Sequence, residues 1–359
     1  TVASSNTTYT VTAVISGVTY QTTVWLSSLN RQLTPSVEGA DLFIDEAMTN
    51  ITFHYDANAA SGSSSGSIVG PYNGNGTAWM VKDFTPSTLD GSAPSCLRAF
   101  EDTLYFAGNY GSKVLWKTDG TESGTVKVQD SVNYNPPNSP CELTVFDNTL
   151  YFRAADGTNG TELWKSDGTA SGTVLVKDIR SGSSSSNPTG FKAVGDTLYF
   201  YADDGTHGHE LWKSDGTASG TVMVKDINSG SGHSSNTQSG LPSNFFSAIG
   251  DTIYFIANDG TNGRELWKSD GTASGTVMVK NIRSGSYGSY DQYTNLQSAV
   301  VGNTLYFTAD DGTNGRELWK TDGTSSGTVR VKDIFSGISS SSPSHFTAVG
   351  NTLYFGAND

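Results

Sequence analysis

Apolar and aromatic positions fall in short runs of four to six residues, separated by Gly, Asp, Asn, Ser and Thr. The stretch 191–227 shows the pattern. Phe191-Lys-Ala-Val194 alternates and stops at Gly195-Asp196, a tight-turn pair. Thr197-Leu-Tyr-Phe-Tyr-Ala202 follows as a run suited to a strand covered on both faces. The loop Asp203-Asp-Gly-Thr-His-Gly208 leads into Glu210-Leu-Trp-Lys213, and Asp215-Gly216 opens the next turn. Thr221-Val-Met-Val-Lys225 closes the unit, with Val222 and Val224 on one face. No segment of this unit has the apolar spacing of an amphipathic helix, so four short antiparallel strands are predicted.

The unit recurs. Glu-Leu-Trp-Lys-Ser-Asp-Gly-Thr stands verbatim from Glu162, Glu210 and Glu265, with looser copies at Val114–Thr121 and Glu317–Thr324. A period near fifty residues marks a small folding unit that buries its apolar face only against its neighbours. The predicted fold is therefore all-β, a β-propeller of four-stranded antiparallel blades. Complete copies start near Leu97, Leu143, Phe191, Phe246 and Ser298, and a further copy starting at Phe346 carries two strands by Asp359. Gly76–Asp83 resembles a fourth strand, and Ile51–Asp56 overlays Glu-Leu-Trp-Lys-Ser-Asp with Phe53 in the Trp place. The reading is six blades over 49–359, the closing blade split between 50–84 and 346–359; seven is the alternative if 8–26 joins another blade. Such a splice removes an open sheet edge.

Residues 1–48 lie outside the repeat. Their alternation from Tyr9 to Trp25 around Ser16-Gly17 predicts a β-hairpin extension. An isolated hairpin is marginal in water. It is expected to dock on its own propeller or on another molecule by strand addition.

Composition and short motifs change the picture in four ways. A net charge of −14 argues against nucleic acid as a partner. No apolar run approaches the roughly 20 residues of a membrane span. The only two cysteines, Cys96 and Cys141, fall just before the first strands of adjacent units, which predicts a disulfide and an oxidising setting. Sequons at Asn6, Asn50, Asn75 and Asn159 permit N-glycosylation in an exported chain.

The long motif Glu210-Leu-Trp-Lys-Ser-Asp-Gly-Thr-Ala-Ser-Gly-Thr221 and its copies resemble the ELWxxDGT-repeat family of secreted bacterial proteins. The resemblance covers about 76–359 and fails at Val114, where the Glu is missing. It implies export and an extracellular or cell-surface life, without implying one activity.

Several constellations are candidates for chemistry. The loop Asp-Gly-Thr-x-Gly-x-Glu supplies Asp156 with Glu162, Asp204 with Glu210, Asp259 with Glu265 and Asp311 with Glu317. Oxygen-rich loops of this kind suit Ca²⁺, although the spacing is not that of an EF-hand. The competing reading has Asp shaping the turn and Glu pairing with a Lys or Arg on an adjacent strand. The repeated Trp residues are read as packing between blades. Repeats differ most in the long connections after the fourth strand, where His233, Tyr287, Tyr290, Asp291, Gln292 and Tyr293, joined by Tyr134 of an earlier connection, form a candidate ligand-binding set. No nucleophile elbow or phosphate loop is present, so a non-enzyme is expected. The leading expectation is a cell-surface or extracellular structural or adhesion subunit, self-assembling through its hairpin. Its partners would be itself or surface glycans and proteins. The alternative is a carbohydrate-binding module using the Tyr-rich loops.

Overall fold

A computed structural model describes residues 7–15, 18–26, 68–69, 80–82, 94–109, 113–129, 142–235, 246–290 and 297–359. The chain divides into two compact units, Thr1–Ser92 and Ala93–Asp359.

The second unit is a series of antiparallel four-stranded sheets, and the chain is a β-propeller protein. The first sheet joins β5 (Ser95–Phe100), β6 (Thr103–Asn109), β7 (Lys113–Thr118) and β8 (Val126–Lys127). The second joins β9 (Thr144–Phe146), β10 (Thr149–Ala155), β11 (Thr161–Ser166) and β12 (Val174–Lys177). The third joins β13 (Thr189–Val194), β14 (Thr197–Asp203), β15 (His209–Ser214) and β16 (Val222–Lys225). The fourth joins β17 (Phe246–Ile249), β18 (Thr252–Asn258), β19 (Arg264–Ser269) and β20 (Val277–Lys280). The fifth joins β21 (Ser298–Val301), β22 (Thr304–Asp310), β23 (Arg316–Thr321) and β24 (Val329–Lys332). A strand pair, β25 (Ser344–Val349) with β26 (Thr352–Gly356), follows in the register of first and second strands. The first strands of successive sheets from β9 to β25 pack on one another, which makes them the inner strands.

Within each blade the sequence sets the register. Phe152, Phe200, Phe255 and Phe307 of the second strands pair with Trp164, Trp212, Trp267 and Trp319 of the third. Pairing of the third with the fourth strand is interrupted by a bulge just before each of these Trp residues. Such a bulge increases local twist.

Cores form between blades. Leu115, Tyr105 and Val128 of the first blade cluster with Leu150, Phe152 and Trp164 of the second. Equivalent clusters join the second to the third blade and the third to the fourth. Trp116, Trp164, Trp212, Trp267 and Trp319 are all buried, as expected for packing between sheets. Each blade covers its neighbour, so no blade has a core of its own.

In the first unit, β1 (Thr7–Ile15) and β2 (Val18–Leu26) form the expected antiparallel hairpin, paired from Thr7 with Leu26 to Ile15 with Val18. A second pair, β3 (Ile68–Val69) with β4 (Met80–Lys82), matches Ile68 to Lys82 and Val69 to Met80 across a bulge. Leu211–Lys225 and Trp212–Met223 show the same pairing and the same bulge. The third-strand signature therefore sits at Ile68–Val69. The overlay of Ile51–Asp56 on a third strand lies outside the described residues.

Candidate functional site

The Asp-Gly-Thr-x-Gly loops close on themselves. Asp156 Oδ1 accepts from the backbone N–H groups of Thr158 and Asn159 at 2.8 and 2.9 Å, and Oδ2 accepts from Asn159 Nδ2 at 2.7 Å. Asp259 repeats the arrangement with Thr261 and Asn262, and Asp311 with Thr313 and Asn314. In the third blade Asp204 takes Thr206 and His207 N–H groups, and its Oδ2 meets His207 Nδ1 at 2.7 Å. These bonds outweigh partial burial and hold all four carboxyls below the usual Asp range, Asp311 at about 2. Asn159, one of the sequon residues, commits its side-chain amide to this turn.

The motif's glutamates do something different from what the sequence suggested. Glu162, Glu210, Glu265 and Glu317 are fully buried, and they accept from backbone and hydroxyl donors of the connection to the next blade. Glu162 accepts from Ile179 N at 2.9 Å, Ser186 N at 2.8 Å and Ser186 Oγ. Glu210 accepts from the N–H groups of Ile227, Asn228 and Ser234. Glu265 takes Ile282 N, Arg283 N and Ser289 Oγ; Glu317 takes Ile334 N, Ser341 N and Ser341 Oγ. Each glutamate thus staples the residues 17 and 24 positions downstream. Burial pushes Glu162 and Glu210 up to about 7 and raises Glu265, against the pull of these donors.

This geometry bears on the calcium reading. The aspartates face N–H donors in one turn, and the glutamates face N–H and O–H donors in a separate buried slot. A cation needs oxygens converging on one point. Among the described residues no three His, Cys, Asp or Glu side chains gather as metal ligands would.

The motif's lysines bridge blades. Lys117, Lys165, Lys213 and Lys268 donate to the carbonyls of Gly168, Gly216, Gly271 and Gly323, each in the following blade, at 2.8 to 3.0 Å. A second row, Lys177, Lys225 and Lys280, donates to the carbonyls of Thr221, Thr276 and Thr328. Beside each accepting glycine lies a tyrosine hydroxyl of the preceding blade. A Cβ on Gly216 would stand 2.2 Å from Tyr151 Oη, at a φ of +88°. Glycine is required there for both reasons. The turn is held by its own Asp: Asp215 Oδ1 accepts from Thr217 N and Oγ1, and Thr217 Oγ1 accepts from Gly220 N.

The long connections divide. Tyr290 is buried at 1% exposure in the core between the fourth and fifth blades, so it offers no face to a ligand. Tyr287 is 80% exposed, with the Arg283 guanidinium 5.7 Å from its ring centre. Arg283 also bonds Asp310 at 2.9 Å. His233 is half-buried against the third blade, 5.9 Å ring to ring from His209. Asp291, Gln292, Tyr293 and Tyr134 lie outside the described residues, as do Asn6, Asn50, Asn75 and Cys141. Cys96 packs at the edge of the first interblade core with a φ of 64°.

The glutamate staple was the main feature missed by sequence reasoning. Its signal was present as an Ile and a Ser at constant distances after each Glu.

No family model matches the chain, and no curated protein matches it. Among solved structures it is similar to one from a study of two prolyl endopeptidases, at 13% identity and a TM-score of 0.44, over 78% of this chain and 41% of that one. It is similar to a puromycin-hydrolysing peptidase of Mycobacterium tuberculosis at 11% identity and a TM-score of 0.40, over 71% and 39%. An uncharacterised protein of Listeria monocytogenes gives 11% and 0.37, over 66% and 64%. The chain thus spans about two fifths of the length of the two peptidases.

Proposed function

We propose that this chain is a secreted, non-enzymatic β-propeller serving as a cell-surface or extracellular structural or adhesion subunit. The observation that carries the reading is how the repeated polar groups are used. In the second, third and fourth copies the glutamate, the lysine and both aspartates are bonded within the blade, to its connection or to the next blade. What recurs is a device for building a rigid array, and a rigid array serves presentation and assembly. Self-association through β1–β2 is the proposed mode, because a two-stranded hairpin gains stability by adding to a further sheet edge. Six blades, export, glycosylation and a Cys96–Cys141 disulfide belong to the same proposal.

Sedimentation of the whole chain against a chain lacking 1–48 tests it. Concentration-dependent assembly of the whole chain alone is the expected result. Two monodisperse monomers would remove the assembly role.

A second reading, glycan binding, is favoured by Tyr287, whose exposed ring carries a guanidinium over it. A glycan array with Tyr287→Ala as control separates the two readings. Glycan signal lost in the variant supports binding, and an array without signal removes it.

A further inference from the structure

Four repeats offer the same backbone N–H, that of the residue just before the buried Glu, to the connection leaving the same blade. Thr161 N donates to Ser185 Oγ and Arg316 N to Ser340 Oγ, both at 2.9 Å. Arg264 instead forms a backbone bridge with Gly288. In the third blade the equivalent N–H, that of His209, donates to His233 Nδ1 at 2.8 Å. A hydroxyl oxygen accepts at any pH, whereas an imidazole nitrogen accepts only while it is unprotonated.

We propose that His233 is a pH-operated catch that holds the connection leaving the third blade when neutral and releases it when protonated. The contact is close. A hypothetical Cβ on Gly208 would lie 2.2 Å from the Gly232 carbonyl oxygen and 2.9 Å from His233 Nδ1, so glycine lets the strand end approach the connection and its ring. The segment continues along the same strand end: Ser234 N and Ser235 N both donate to His209 O, and Asn228 Nδ2 donates to His233 O. Protonation sets Nδ1–H against the His209 N–H, two donors facing each other. The imidazole nitrogen changes from acceptor to donor when it is protonated.

Among the described residues, charged groups reach this site from several elements. His209 lies ring to ring with His233, buried and held down to about 4 chiefly by burial. Asp203, Arg180 and Arg153 act on His209 from β14, the preceding connection and β10. Arg180 is paired with Asp203 at 2.8 Å. His207 is bonded to Asp204 in the adjoining turn and feels Asp226 and Glu210. Glu210 holds Ser234 N beside the catch and itself titrates near 7. His209, kept neutral chiefly by its burial, takes no part in the switch.

Amide hydrogen exchange of His209 in the full chain, corrected for intrinsic rates and followed from pH 8 to pH 5, is the test. Protection should fall on the order of three- to tenfold in the wild type, the size of one net hydrogen bond. His233→Ser, which installs the hydroxyl used at Ser185 and Ser340, should stay protected throughout. His233→Ala should be unprotected at both ends. The Thr161 amide, held by Ser185 in the same molecule, is the internal control and should stay level. A level His209 profile in the wild type overturns the proposal. So does a His233→Ser profile that follows the wild type, since Glu210 titrates in both proteins and would then be the cause.

Discussion

Lys165 Nζ in the second blade lies 3.0 Å from the carbonyl oxygen of Gly216 in the third, and Tyr151 Oη closes over the same glycine. This joint repeats between successive blades and explains why the motif keeps Lys, Asp and Gly together. It also yields a matched pair of substitutions. Gly120 has nearly the same φ, +92°, with nothing within 4 Å of a Cβ. Gly120→Ala should cost about 1–2 kcal/mol for the left-handed backbone alone. Gly216→Ala should cost roughly 1–3 kcal/mol more, the added methyl overpacking the tyrosine. Urea unfolding of both variants measures the difference, and adding Tyr151→Phe should recover part of it only for Gly216→Ala.

Ser186→Ala removes the hydroxyl that donates to Glu162, with the Thr161 carbonyl at 3.5 Å as a secondary acceptor. Hydrogen bonds to charged groups contribute about 1.5–3 kcal/mol. A loss of that size is expected in chemical denaturation, with hydrogen exchange rising first around 179–187.

The buried carboxylates and the buried histidine give opposite pH signs. Glu162 and Glu210, raised to about 7, bind protons more tightly folded than unfolded. Their contribution is fully present below about pH 4.5, the unfolded value, and is lost as pH rises through 7. His209, lowered to about 4, contributes above pH 6.5 and loses that contribution as pH falls through 4. Melting temperature should therefore rise from pH 8 towards 5.5 and fall again below pH 5. His209→Gln should flatten only the acid limb.

Chelation should leave the protein unchanged. With Asp156 and Glu162 each committed to N–H donors, melting curves with excess EDTA and with added calcium should superimpose. A calcium-dependent rise in melting temperature would support the metal reading of these loops.

Non-reducing peptide mapping addresses the two cysteines. A linked Cys96–Cys141 peptide is the expected result, and alkylation of both thiols without prior reduction would remove the disulfide from the proposal.

The sequence by itself determined the strands, the turns and the repetition. Period-two alternation names the face of each strand, and Asp-Gly pairs at fixed intervals name the turns, because both are properties of a few adjacent residues. The interblade role of Trp164 and its counterparts was readable for the same reason: a large ring at one place in every repeat has a neighbouring sheet to fill against. Tertiary structure decided the partners. Glu162 meets Ser186, and Lys165 meets Gly216, across separations that alternation does not encode. Tyr287 and Tyr290 look alike in sequence, yet one is in water and the other in a core. A connection's exposure is set by which residues the staple pulls inward, and that is fixed only when the next blade is in place.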